Sequence, residues 1–161
     1  MTVSAILFDR LKKGGKFITF GNGGSAADAQ HFVAELSGRF MKERKSFPAV
    51  ALTTNSSSLT AIGNDYDFTK VLSRQLDGIW AKEDFVVGIS ASGNSPNVIE
   101  GIRTARKIGA FTLALTGRDG GKVMNEADQC IRVNSDVTPL IQEVHIAIIH
   151  MICYSFDAML E

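Results

Sequence analysis

The order in which two kinds of segment alternate is the strongest constraint on this chain. Short apolar runs without inside–outside alternation recur along it, and stretches with helical periodicity lie between them. Such runs suit strands covered on both faces. Strand–helix alternation builds a parallel sheet sandwiched by helices. Strands are expected at residues 16–20, 49–53, 85–89, 111–115 and 129–133. Helices are expected at 25–40, 57–63, 68–80, 97–108 and 139–160. Ligands of such sheets sit at the carboxyl ends of the strands.

The chain has 161 residues, 45% of them hydrophobic, with no repeat, low-complexity tract or linker. That fits one domain, 1–161, with a sizeable core. Lys plus Arg balances Asp plus Glu at 17 each. The balance argues against nucleic acid or a membrane surface as partner, since both favour a basic excess. Two cysteines, Cys130 and Cys153, form neither a disulfide framework nor a Cys-x-x-Cys site. They read as buried free thiols in a reducing compartment. The opening MTVSAILFDRLKKGGK lacks signal-peptide order, and no apolar run reaches bilayer length. The expectation is a soluble, cytoplasmic protein.

Two loops after strands stand out. GNGGS, 21–25, leads into a helix for which Ser25 is a suitable N-cap. Glycines let a ligand approach the backbone, and a helix N-terminus favours an anion. The loop lacks the Lys of a phosphate-binding P-loop and is no GxGxxG fingerprint, so a tight connection is an equal reading. In GISASGNSPNVIE, Ser90, Ser92 and Ser95 offer three hydroxyls, and Pro96 suits a first helical turn. This is either a capped turn or a lysine-free phosphate cradle. Together the two loops suggest one common site. TGRDGG, 116–121, reads as a turn without chemistry.

His31 and Glu35 stand four residues apart on one helix face. The spacing admits a structural histidine, a metal pair or a proton-transfer pair. The last helical stretch is largely apolar, as in a core or subunit interface, yet holds Gln142, Glu143, His145 and His150. Gln142 and His150 share a broad side, about 80° apart around the axis and about 12 Å along it. His145 points about 140° from His150 and reads as structural or accessory.

With GNGGSAADAQHFVAELSGRF, LTAIGNDYDF, GISASGNSPNVI, LALTGRDGG and IQEVHIAIIH in place, the chain resembles the SIS (sugar isomerase) domain family over nearly its whole length. Within it, the motifs are similar to those of the phosphoheptose isomerases. The resemblance implies an α/β fold: a three-layer α/β/α sandwich around a five-stranded parallel sheet. It implies an enzyme that interconverts sedoheptulose 7-phosphate and D-glycero-D-manno-heptose 7-phosphate through an enediol. It implies a homotetramer with active sites at subunit contacts. Zinc would be held by positions matching His31, Glu35, Gln142 and His150, and Glu35 and His150 match the proposed acid/base pair. The phosphate cradle corresponds to Ser90, Ser92 and Ser95. Asn22, Gly23, Gly24, Ser25, Arg39, Asn64, Asp65 and Gln142 match other substrate-site positions. Since Gln142 and His150 lie far apart along one helix, they are expected to serve one site from different subunits, or to be combined in it only loosely.

Three departures stand out. The chain begins close to its first strand, where the family usually carries a further helix that aids assembly. Ala91 stands where threonine is common, and Leu140 where arginine is common. A similar non-enzymatic scaffold that binds the replication initiator DnaA lacks the acid and the histidine that Glu35 and His150 supply. Their presence here favours an enzyme. A sugar-phosphate sensor would carry a DNA-binding domain, and none is evident in these residues.

Overall fold

The computed structural model describes residues 2–160. Met1 and Glu161, the outermost residues of the expected 1–161 unit, lie outside the described residues. Five strands form one parallel sheet: β1 (Phe17–Gly21), β2 (Ala49–Ala51), β3 (Phe85–Ser90), β4 (Phe111–Thr116) and β5 (Gln129–Arg132). Their order is β2-β1-β3-β4-β5. Every residue of β1 and β3 is buried, as their unbroken apolar character requires. The register aligns Phe17 with Phe85 and Phe85 with Phe111. Their ring centroids lie 6.2 and 5.1 Å apart.

Strand side chains alternate between two cores. Phe17, Phe85, Val87, Ile89, Leu113 and Leu115 face helices α1 (Val3–Lys12), α2 (Gly24–Ser37) and α6 (Thr138–Asp157). Ile18, Phe20, Val86 and Ala114 face the other layer, with α3 (Ser56–Asp65), α4 (Ser73–Ile79) and α5 (Pro96–Lys107). The chain leaves β1 towards β2 on one side and returns to β3 on the other. That reversal opens a crevice at the carboxyl ends of β1 and β3, where such sheets bind ligands.

Several elements differ from expectation. Helix α1, unmarked in the sequence reading, precedes β1. Thr2 caps it through a hydrogen bond from the Ala5 N–H at 3.3 Å, and Leu7 and Leu11 are its buried anchors. The helix expected over 68–80 is broken into a 3₁₀ turn, Phe68–Lys70, and α4. The Asp67 carboxylate accepts from the Thr69 N–H at 2.8 Å and starts the turn afresh. Helix α2 stops at Ser37 rather than reaching Phe40, and β2 stops at Ala51 because Thr54 turns back on its carbonyl. Helix α6, at 20 residues, is long and apolar enough by length and composition to cross a membrane, which corrects the expectation that no run reaches that length. Its packing gives the reason for its composition: Ile141, Ile149, Cys153 and Phe156 are buried within the fold.

Candidate active site

Two groups of side chains gather on α2, α6 and the loops after β1 and β3. The first is a cradle of about 190 Å³ bordered by Asn22, Ser25, Ser90, Ser92, Ser95 and Gln142, with Thr138 at its edge. Ser95 is the N-cap of α5, yet its side chain makes no capping bond. Its Oγ instead lies 3.0 Å from Ser90 Oγ. The first N–H of α5 to bond backwards is that of Ile99, to the Ser95 carbonyl. The opening amides and the two hydroxyls together offer a neutral anion site. Ala91 leaves that position without a hydroxyl.

The turn that reads as chemically silent supports this cradle. Gly117 N donates to the Ala91 carbonyl at 3.0 Å and Val123 N to that of Gly93 at 3.0 Å. Lys122 N donates to Asn94 Oδ1 at 3.1 Å. Gly93 has φ +66°, and a Cβ there would stand 2.0 Å from the Gly120 carbonyl. Only glycine allows the two loops to meet this closely.

The first loop differs in one detail from expectation. Gly23, not Ser25, is the N-cap of α2; Ser25 sits inside the first turn and is buried. Gly23 and Gly24 are exposed. Gln142 lies over Gly24, where a Cβ would approach its Nε2 to 2.6 Å. Glycine at 24 therefore makes room for the Gln142 amide.

The second group is His31, Glu35 and His150. One ligand atom of each lies within 4.8 Å of the others. His31 Nε2 is 2.9 Å from Glu35 Oε1 and 3.1 Å from His150 Nε2. Two imidazole nitrogens and one carboxylate suit zinc. For bonds of about 2 Å a tetrahedral site has ligand–ligand edges of about 3.3 Å, close to these spacings. The donor set therefore fits a divalent cation with a coordination position left open. Phe40 stacks on the His150 ring, with centroids 5.8 Å apart and planes 25° apart.

Gln142 borders the cradle, beside Gly24. Arg39 and the adjacent pair Asn64 and Asp65 are exposed outside the cradle's lining. Arg39 faces Glu43 at 3.7 Å, and Asn64 Nδ2 donates to Asp65 Oδ1 at 2.9 Å.

Between the two groups, α2 and α6 hold a buried polar seam. His145 is fully buried and donates from Nε2 to the Thr116 carbonyl at 3.0 Å. Burial holds the imidazole below its ordinary pKa, against the Thr116 carbonyl and the Asp28 charge. Burial raises the Asp28 carboxyl, with His145 and His31 opposing. His145 Nδ1 and Asp28 Oδ2 have no partner. His145 lines neither the cradle nor the His31–Glu35–His150 group.

A further clamp was not legible from motifs. Arg44 donates to the Glu35 and Leu36 carbonyls at 2.6 and 2.9 Å and pairs with Asp157 Oδ1 at 3.0 Å. It caps α2 just beyond Glu35 and ties that end to α6. Asn97, which pairs with Asn22, was also missed. A lone polar residue in an early helical turn gives no sequence signal of such a partner.

The SIS domain family profile matches residues 2–117. The "Probable phosphoheptose isomerase" of Thermoplasma acidophilum is 60% identical over 147 residues, 91% of this chain and 81% of that protein. The structure of phosphoheptose isomerase GmhA from Neisseria gonorrhoeae superposes with a TM-score of 0.91 at 46% identity, covering 97% of this chain and 83% of that one. A phosphoheptose isomerase from Francisella tularensis gives 0.92 at 35% identity, covering 96% and 83%. The chain belongs to the SIS domain family and, within it, to the phosphoheptose isomerases.

Proposed function

We infer that the chain is an aldose–ketose isomerase, converting sedoheptulose 7-phosphate to D-glycero-D-manno-heptose 7-phosphate through an enediol and supplying heptose for surface glycans. The observation that carries this reading is the joint placement of a hydroxyl-and-amide cradle and the His31–Glu35–His150 trio along α2 and α6. Isomerisation moves a proton between adjacent carbons. It needs a base over the carbon and a proton donor or electrophile near the oxygens.

In this reading Ser90, Ser92 and Ser95 hold the phosphate, and Asn22, Gly23, Gly24 and Ser25 close around the sugar. Anchoring the remote phosphate fixes where the reacting carbons lie. The Glu35 carboxylate takes the proton from carbon, and His150 is its acid/base partner at the neighbouring oxygen. His31, Glu35, Gln142 and His150 would hold zinc, whose chemistry when bound is to polarise the carbonyl and stabilise enediolate charge.

Gln142 and His150 are separated along α6 by about 12 Å, so Gln142 serves the trio of a neighbouring subunit. The proposed assembly is a homotetramer of single SIS units in the cytoplasm. Support comes from the outer face of α6, where Leu140, Val144, Ala147, Met151 and Tyr154 are exposed at spacings of three or four residues, as in a helix–helix seam. Arg39, Asn64 and Asp65 are exposed, and in the proposed assembly they contact a neighbour's substrate.

The test is conversion of sedoheptulose 7-phosphate in deuterated water, with and without zinc or a chelator. Turnover with deuterium at the carbon beside the carbonyl supports the isomerase, and the chelator arm reports on the metal. Glu35→Gln should abolish turnover while sugar phosphate still binds. Wild-type rates in that variant would remove Glu35 as the base.

A further inference from the structure

The amide pair joining the two loops at the crevice has no assigned role. Asn22 Nδ2 donates to Asn97 Oδ1 at 2.9 Å, and Asn97 Nδ2 donates back to Asn22 Oδ1 at 2.8 Å. Asn97 is the second residue of α5 and is 97% buried, with 3% exposure. Asn22 borders both the cradle and a second cavity of about 270 Å³, whose walls include Thr53, Leu59, Phe68 and Leu72. Asn97 borders this second cavity as well. The reciprocal pair thus stands as the wall between a polar compartment and a largely apolar one.

We infer that Asn97 is a positioning residue: it orients the Asn22 carboxamide towards bound sugar and keeps the cradle separate from the apolar cavity. The inference rests on the isomerase reading above. A carboxamide on a glycine-rich loop can turn about its terminal bond and exchange donor for acceptor. Two reciprocal hydrogen bonds remove that freedom. They leave Asn22 with one free N–H and one free lone pair. That remainder matches a hydroxyl, which donates and accepts. It matches a phosphate less well, because a phosphate dianion only accepts. Asn97 therefore acts on the polyol end of the substrate, while the serines and the α5 N-terminus act on the phosphate.

The substitution Asn97→Leu keeps a branched side chain of the same number of heavy atoms and removes both partners of Asn22. Asn97→Ala serves the same purpose with less bulk, should leucine disturb folding. Affinity for sedoheptulose 7-phosphate and for inorganic phosphate would be measured by calorimetry on wild type and both variants, alongside KM and kcat. Sugar-phosphate affinity is expected to fall about tenfold, the scale of one lost hydrogen bond plus an orphaned group. Phosphate affinity should stay within about twofold of wild type on the same scale. The loss should appear mainly in KM. Equal weakening of both ligands, or no change in either, would make the pair merely structural and overturn the inference. If wild type binds the sugar phosphate without turning it over, the isomerase reading fails, while the ratio of the two affinities still decides the role of Asn97.

Discussion

Replacing Arg44 by methionine tests how the two site helices are held together. The Arg44 and Asp157 side chains are 7% and 5% exposed, so solvent screens them little. Arg44→Met removes the ion pair and the bonds to the Glu35 and Leu36 carbonyls. Asp157 would remain buried with the Met41 and Lys42 N–H groups, at 3.0 and 3.1 Å, as its remaining partners. Removing one partner of a buried pair costs about 3–5 kcal/mol. The two N–H donors retained place the expected loss near the lower end, about 3 kcal/mol. For a chain of this length that is roughly 6–12 °C in Tm. Denaturant melts measure the first quantity and calorimetry the second.

The pH dependence follows from Asp157. Burial would raise its carboxyl, but the two N–H donors and Arg44 outweigh burial and hold it below the ordinary range. A carboxyl lowered by folding contributes stability above its unfolded pKa, about 3.9, and loses it as pH falls through the folded value. The wild type should therefore lose stability steeply below about pH 4, and Arg44→Met should lose less there. A loss under about 1 kcal/mol at neutral pH would refute the reasoning, since that is the scale of a solvated surface pair.

Other outcomes follow from the same geometry. Gly24→Ala should push the Gln142 amide aside, because the added Cβ meets it at 2.6 Å. Activity should drop while thermal stability holds or rises, since alanine favours the helix by up to about 1 kcal/mol. Met151→Glu, on the exposed face of α6, should lower the mass seen by light scattering with little change in the melting of the individual fold. Burial pushes the Cys153 thiol up to about 12. Iodoacetamide at pH 8 should therefore leave it unmodified by mass spectrometry until the protein is unfolded.

The sheet was legible because both faces of β1, β3 and β4 are covered, which forces unbroken apolar runs. Helix α1 was not, because its 10 residues carry few buried anchors and run into the basic, glycine-rich LKKGGK. The break at Phe68–Lys70 was hidden for another reason: Asp67 redirects the backbone through one side-chain bond, without a proline to mark it. In the site, His31 and Glu35 were readable from helical spacing alone. The approach of His150 depends on how α6 crosses α2, which spacing does not encode. The choice of Gly23 over Ser25 as N-cap is likewise tertiary. Ser25 is drawn into the cradle wall, and Gly23, at φ +56°, takes the turn that a side chain would resist. Arg44 and Asp157 are 113 residues apart, and no local pattern links them.

The two cores close at different stages of chain synthesis. The layer around Ile18, Phe20, Val86 and Ala114 draws its buried residues from segments up to Val123. The layer around Phe17, Phe85 and Leu113 also needs Ile149, Cys153 and Phe156 of α6. Until α6 emerges from the ribosome, α1 lacks the surface that its Ser4 hydroxyl meets at the Ile152 carbonyl, 3.3 Å away. A nascent chain that has completed all five strands therefore still exposes the part of this apolar side that α6 covers. It also lacks His150 and Asp157. Closure of the fold and assembly of the His31–Glu35–His150 trio become a single late event.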